Sequence, residues 1–326
     1  MLAAILATVI SCYPTAVGVA GPVPRVHAVF IDPWNEMKGH SQADWNRIVQ
    51  AAREIGVRAI IIKKLVTINR HNEVIRDFTD SPLVERIIAA AGSDVDVYIG
   101  VATQEQISTS SFPTLKSESL RVAKRVSKLH FKGWYLPVEA WNFAKGSPQI
   151  KAFHNFYCEL VNALPRRQGV IASPFVNPSG IDSLSSPVDA AAVFEQVFGH
   201  TGITTLLIQD GTGGRADYEG GAAKWDIDRY LAAVQPYFSQ ISRRLQQKNV
   251  DVWVNVEAFE GKSSAEPARF HKQLFNVPSG FRVAMFDFYH HMNPVTPDQS
   301  GSPESALPCR QRLYLSYQAW DKRRGQ

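Results

Sequence analysis

Apolar residues along this chain fall into short, nearly continuous runs that alternate with longer stretches in which they recur every three or four positions. The runs are Val26 to Ile31, Ala59 to Ile62, Val95 to Val101, Gly133 up to Glu139, Gly169 to Ser173, Ile203 to Gln209, Val250 to Val256 and Val283 to Phe288. Between the first two, Trp45, Ile48, Val49, Ala52 and Ile55 recur at helical spacing, behind a capping pair at Ser41 and Asp44 and ahead of Gly56. Ser81-Pro82 and Ser186-Pro187 offer further helix starts, and Pro236 is expected to kink the long helix that begins near Ile227. A helix around Leu307 to Trp320 closes the series. Strands that are apolar along their whole length belong to parallel sheets buried on both faces. Eight such strands, each followed by a helix, predict a (β/α)8 barrel, α/β in class and a single domain over residues 25–326. An open doubly wound sheet shares the alternation, but the count of eight favours closure.

The first 24 residues break the pattern. Met1 to Ala20 carries no Asp, Glu, Lys or Arg, has an apolar core from Leu2 to Ile10, and leads into Gly21-Pro22-Val23-Pro24. This reads as a secretory signal and linker, which predicts an exported protein in the periplasm, on the envelope or outside the cell. Val9-Ile10-Ser11-Cys12 resembles a bacterial lipobox, making Cys12 a candidate lipid anchor, while Gly18-Val19-Ala20 offers ordinary cleavage. Only Cys158 and Cys309 remain beyond this segment, expected as buried thiols rather than a disulfide framework.

Charge narrows the partners. With 35 Lys+Arg against 30 Asp+Glu the excess is small and scattered, so no nucleic-acid partner is implied, although an anionic polysaccharide would be tolerated. Gly211-Thr-Gly213-Gly-Arg-Ala216 loosely matches a dinucleotide loop, but the next helical face begins only at Ile227, too late to hold a pyrophosphate. No cofactor is expected. His290-His291 lacks metal-ligand spacing, and no metal is expected either.

In a barrel of this kind the chemistry sits at the carboxyl ends of the strands. Two segments there echo each other: Pro137-Val-Glu139-Ala-Trp141 and Asn255-Val-Glu257-Ala-Phe259. Each brings a glutamate, then an aromatic, to the end of strand four or seven. Paired carboxyl groups across a scissile bond are what glycoside hydrolysis needs, so Glu139 and Glu257 are the catalytic candidates and a carbohydrate is the expected substrate. Asp32, Asp210, Asp287 and His290 are candidates for binding sugar hydroxyls. Trp34, Trp141, Phe259 and Tyr289 are candidates for stacking on sugar faces, with Phe175 nearby. Trp134 and Trp253 lie within strands and are expected in the barrel wall.

On Gly133-Trp-Tyr-Leu-Pro-Val-Glu139, Ile208-Gln-Asp210-Gly-Thr-Gly213 and Trp253-Val-Asn-Val-Glu257-Ala-Phe259, the chain from about Val26 to Trp320 resembles a family of secreted bacterial glycosidase-like TIM barrels long labelled a domain of unknown function. The resemblance implies a carbohydrate-active barrel. In the wider clan of retaining glycosidases, strands four and seven carry the acid/base and the nucleophile, which implies those roles for Glu139 and Glu257 respectively. The clan usually has Asn before the acid/base glutamate; here it is Val138, leaving Asn142 or Asn255 to supply an amide for the sugar. The alternative reading is a non-catalytic polysaccharide-binding barrel of the cell envelope.

Overall fold

The computed structural model describes residues 24–177, 185–213, 226–260, 263–295 and 307–324. The signal-like segment with Cys12, and the glycine-rich loop beyond Gly213, lie outside the described residues. Eight parallel strands close into a barrel: β1 (Val26–Ile31), β2 (Ala59–Ile62), β3 (Asp96–Gly100), β4 (Gly133–Leu136), β5 (Gly169–Ala172), β6 (Thr205–Gln209), β7 (Asp251–Glu257) and β8 (Val283–Phe286). Each hydrogen-bonds its sequence neighbours, and β8 closes on β1 through Val26 and Val283.

Strand parity explains what the barrel encloses. Side chains two apart share a face, and Ala28, Phe30, Ala59, Ile61, Tyr135, Ile171, Leu207, Trp253 and Ala284 form one buried interior cluster. The alternate residues, among them Val29, Ile31, Ile60, Ile62, Val252 and Val254, join the second core beneath the helices. Apart from polar residues at strand ends and Asn255, the strands are therefore apolar on both faces, which is why they read as continuous runs.

The outer helices are α1 (Gln42–Glu54), α2 (Leu83–Ala91), α3 (Phe112–Arg125), α4 (Pro148–Ala163), α5 (Pro187–Phe198), α6 (Ile227–Gln246), α7 (Pro267–Asn276) and α8 (Leu307–Arg324). Ser41 and Asp44 form the expected reciprocal capping box on α1, and Ser186 caps α5 through Asp189. Such caps are worth about 1 kcal/mol each. Ser81 acts one residue earlier than the cap position, which is Pro82; its hydroxyl accepts the Leu83 N–H at 3.3 Å. The helix α6 runs on through Pro236. Cys158 and Cys309 are free thiols, but partly exposed rather than buried. Among the described residues no helix is long and apolar enough to cross a membrane.

One element was not expected. After β2 the chain forms a hairpin, Val66–Ile68 and Val74–Asp77, and Val66–Ile68 pairs on its other side with Ala102–Gln104 beyond β3. Asn72, at φ 64°, makes the turn, a backbone region that Asn enters more readily than most residues. This three-stranded sheet stands over the carboxyl end of the barrel and forms one wall of a cleft.

Candidate active site

That cleft, of 510 Å³, is lined on one side by Lys63, Lys64, Thr67 and Arg76 and on the other by Glu139, Trp141 and Phe175. Glu139 does not close a strand. β4 ends at Leu136, and Glu139 follows in an extended segment pinned at three points. Thr103 Oγ1 donates to the Pro137 carbonyl at 2.8 Å, Tyr157 donates its hydroxyl to the Val138 carbonyl, and Phe175 N–H donates to the Ala140 carbonyl at 3.1 Å. Val138 itself is buried, as part of the outer core. The Trp141 and Phe175 rings stack with centroids 5.8 Å apart and planes inclined by 22°, giving the cleft a flat apolar side.

Glu257 is the last residue of β7 and shares inward parity with Trp253 and Asn255. It is 5% exposed, and its Oε2 accepts the Gly213 N–H at 2.5 Å. Burial, and then the neighbouring Asp210, push its carboxyl up from 4.5 to about 8, with Glu139 adding in the same direction. Gly213 and Arg269 pull the other way. At neutral pH this carboxyl therefore holds a proton.

Asp210 sits behind it. Its Oδ1 accepts from the Thr212 N–H and hydroxyl at 3.3 and 3.0 Å, and its Oδ2 accepts from Gln273 Nε2 at 2.6 Å. Arg269, on the same helix as Gln273, reaches Thr212 Oγ1 at 2.9 Å and the Glu257 carbonyl at 3.2 Å. Burial raises the Asp210 carboxyl as well. With both oxygens engaged, Asp210 ties the loop after β6 to α7 and shapes the surroundings of Glu257, rather than offering itself to a sugar.

Asp32, at the end of β1, is paired with Lys64, whose ammonium lies 3.0 and 3.1 Å from its two oxygens. Asp287 is buried and accepts from His290 Nδ1 at 2.7 Å and from the His290 N–H at 2.8 Å. Burial works against a charged imidazole, yet Asp287 and then Glu36 raise His290 to about 10. Trp34 is 46% exposed, its ring tilted 53° against His290 with centroids 5.0 Å apart.

Three expected sugar contacts lie elsewhere. Tyr289 is fully buried, its hydroxyl hydrogen-bonded to His40 and its ring against Trp45. Asn142 is fully buried too, bonded through its amide to the Asn177 backbone and to Ser185, so it fastens the loop after β5. Asn255 points inward like Glu257 but one layer deeper, 2% exposed, with Nδ2 on Ser173 Oγ at 3.3 Å. Phe259 is half-buried between Phe286 and His291. Conversely, Lys63, Lys64, Thr67 and Arg76 were not anticipated. Lys63 was legible by parity, two residues after the inward Ile61; Arg76 lies on the hairpin and carried no signal. Among the described residues no group of His, Cys, Asp and Glu is arranged to hold a metal ion.

The fold is thus a single (β/α)8 barrel with its cleft over the carboxyl ends of the strands. A family described as a domain of unknown function, DUF4434, matches residues 26–300, and the chain belongs to it. No curated protein matches it in sequence. Among solved structures it is similar to a candidate alpha-L-fucosidase from Bacteroides thetaiotaomicron, at TM-score 0.64 and 17% identity over 94% of this chain and 98% of that one. It is more distantly similar to the PgaB glycoside hydrolase domain from Bordetella bronchiseptica, at TM-score 0.48 and 9% identity over 89% and 99% of the two chains. For the Bacillus cereus spore cortex-lytic enzyme SleL the values are 0.47 and 8% over 90% and 74%.

Proposed function

We propose that this chain is a glycoside hydrolase whose carboxyl pair is Glu139 and Glu257. The observation that carries the reading is the difference between the two sites. Glu257 keeps a proton to about pH 8 at the end of β7, while Glu139, beyond β4, lines an open cleft beside stacked aromatic rings. Hydrolysis needs one carboxyl that donates and one that attacks or activates water. Glu257 gives its proton to the leaving oxygen as the glycosidic C–O bond breaks, and Glu139 bonds to the anomeric carbon. Water then splits that ester, and its proton returns to Glu257. This exchanges the roles that the resemblance implied. Trp141 and Phe175 supply the face on which a sugar ring stacks. The apolar segment before Gly21 supports export, which mass spectrometry of the mature amino terminus would test.

A second reading, a non-catalytic glycan-binding barrel, is favoured by one observation: Glu257 is only 5% exposed and tied to Gly213. A hydrolysis panel of oligosaccharides, with proton NMR of the first anomer released, separates the readings. Retained configuration supports attack by Glu139. Inversion makes Glu139 the base. Binding with no product from any glycan favours the second reading.

A further inference from the structure

The cationic wall of the cleft is not accounted for by the hydrolytic pair. Arg76, Thr67 and Thr103 lie side by side across the three-stranded sheet, since Thr67 registers with Arg76 on one strand and with Thr103 on the other. The row ends at the carbonyl of Pro137, which Thr103 holds two residues before Glu139. Lys63 enters from the top of β2 and places its ammonium 4.2 Å over the Phe286 ring, while the Arg76 guanidinium lies 5.6 Å over the Trp34 ring. Among the described residues, neither has a carboxylate within ion-pairing distance; Lys64 holds Asp32 instead. The carboxylates that also line the cleft are Glu139, on the far side, and Glu105, exposed at the rim. Thr67 is 4% exposed, and its hydroxyl has no hydrogen-bond partner. Two uncompensated cations beside an unpartnered hydroxyl, all in one cleft, are the donor set that a carboxylate or a sulfate requires.

We infer that the sugar unit bound against this wall is acidic, its carboxylate or sulfate group held by Arg76, Lys63 and the Thr67 hydroxyl. This rests on the reading of the cleft as a saccharide site, and narrows the substrate to an anionic glycan. A neutral sugar would leave Lys63 and Arg76 in the cleft without a counter-charge. Burial already lowers the Lys64 ammonium, and Lys63 and Arg76 lower it further against the pull of Asp32. An anion relieves that repulsion; a hydroxyl does not.

Calorimetric titration of the full chain carrying Glu139→Gln tests this, with oligogalacturonate, a sulfated heparin-type oligosaccharide, a neutral cello-oligosaccharide and a chitosan oligomer as probes. One or both acidic probes should bind about tenfold tighter than the others, a difference that salt erodes. Tighter binding of oligogalacturonate assigns a carboxylate, and tighter binding of the heparin-type probe a sulfate. Arg76→Gln and Lys63→Met should each cost about tenfold for the acidic probe alone, and Arg76→Lys should recover part of it, with thermal melts showing that the variants fold. Equal binding of neutral or chitosan probes, no binding of any probe, or an unaltered acidic affinity in both folded variants overturns the inference. Wild-type chain that binds the acidic probe without cleaving it would refute hydrolysis and leave the inference standing. Cleavage confined to neutral glycans would do the reverse.

Discussion

His290 grips Asp287 twice, through its ring Nδ1 at 2.7 Å and its own backbone N–H at 2.8 Å. Asp287 is buried at the junction of β8 and the short helix that follows. Burial alone would discharge the imidazole, but Asp287 and Glu36 lift it to about 10. Because the folded value exceeds the unfolded 6.5, the pair's contribution is complete below about pH 6.5 and is lost as pH rises through about 10. His290→Ala strands a buried carboxylate and should destabilise by ~3 kcal/mol in urea unfolding near neutral pH, the scale of a broken buried ion pair. The gap to wild type should narrow above about pH 10. A gap that stayed constant across pH would mean the imidazole is not charged.

Glu257 follows the same sign over a lower window, but here it is the ionised form that burial disfavours. Its folded value of about 8 exceeds the 4.5 of a free carboxyl, so the folded chain keeps a proton that the unfolded chain releases. Its contribution to stability falls as pH rises from about 4.5 to about 8 and is flat beyond. Glu257→Gln should therefore melt higher than wild type in mildly alkaline buffer and lose turnover at every pH. Melting curves that coincide across this range would show that Glu257 is not titrating as a buried acid.

Catalysis should follow the same proton. Turnover is expected to fall on the alkaline side near pH 8, where Glu257 ionises and can no longer donate. Glu139→Gln should reduce kcat by ~10²-fold or more while sparing glycan affinity. A Glu139→Gln variant with near wild-type kcat would remove Glu139 from the reaction.

Gly213 offers a way to move that limb. A Cβ here would lie 2.7 Å from the Phe259 ring and from its carbonyl oxygen, so the backbone must shift. Gly213→Ala should cost ~1–3 kcal/mol in chemical unfolding. It should also loosen the N–H donated to Glu257, which now lowers the carboxyl's value, and so carry the alkaline limb of activity upward. An unmoved limb in a folded variant would show that this hydrogen bond does not set the titration.

Trp141 should matter to binding more than to chemistry. Stacked on Phe175 along the cleft, it is expected to contribute about 1 kcal/mol to holding a sugar ring. Trp141→Ala should raise KM about fivefold at unchanged kcat. An equal drop in kcat would instead place Trp141 in transition-state contact.

The barrel was legible because each strand is buried on both faces, leaving an unbroken apolar signature from Val26–Ile31 to Val283–Phe286. The place of Glu257 at the end of β7 followed from that count, whereas β4 ends three residues before Glu139. Burial of the polar candidates did not follow. Whether Asn142 faces a sugar or a loop depends on Asn177 and Ser185, which are 35 and 43 residues away. Tyr289 reads as an aromatic at a strand end, but its partner His40 comes from the opposite end of the chain. The hairpin after β2 has strands of three and four residues, too short for a period to emerge from Val66-Thr-Ile or Val74-Ile-Arg-Asp. The wall carrying Arg76 was invisible for that reason.

That hairpin is hydrogen-bonded to the extension of β3 but takes no place in the closed ring of strands. Its less buried strand, Val74–Asp77, can therefore change without disturbing barrel closure, whereas Val66 and Ile68 are buried in the outer core. Relatives of this chain can exchange an arginine for a neutral residue at position 76, or reshape the turn at Asn72, while the carboxyl pair and the interior layers stay fixed. Diversification within such a lineage should concentrate in residues 69–77, where a change of preferred glycan would leave the proposed reaction itself untouched.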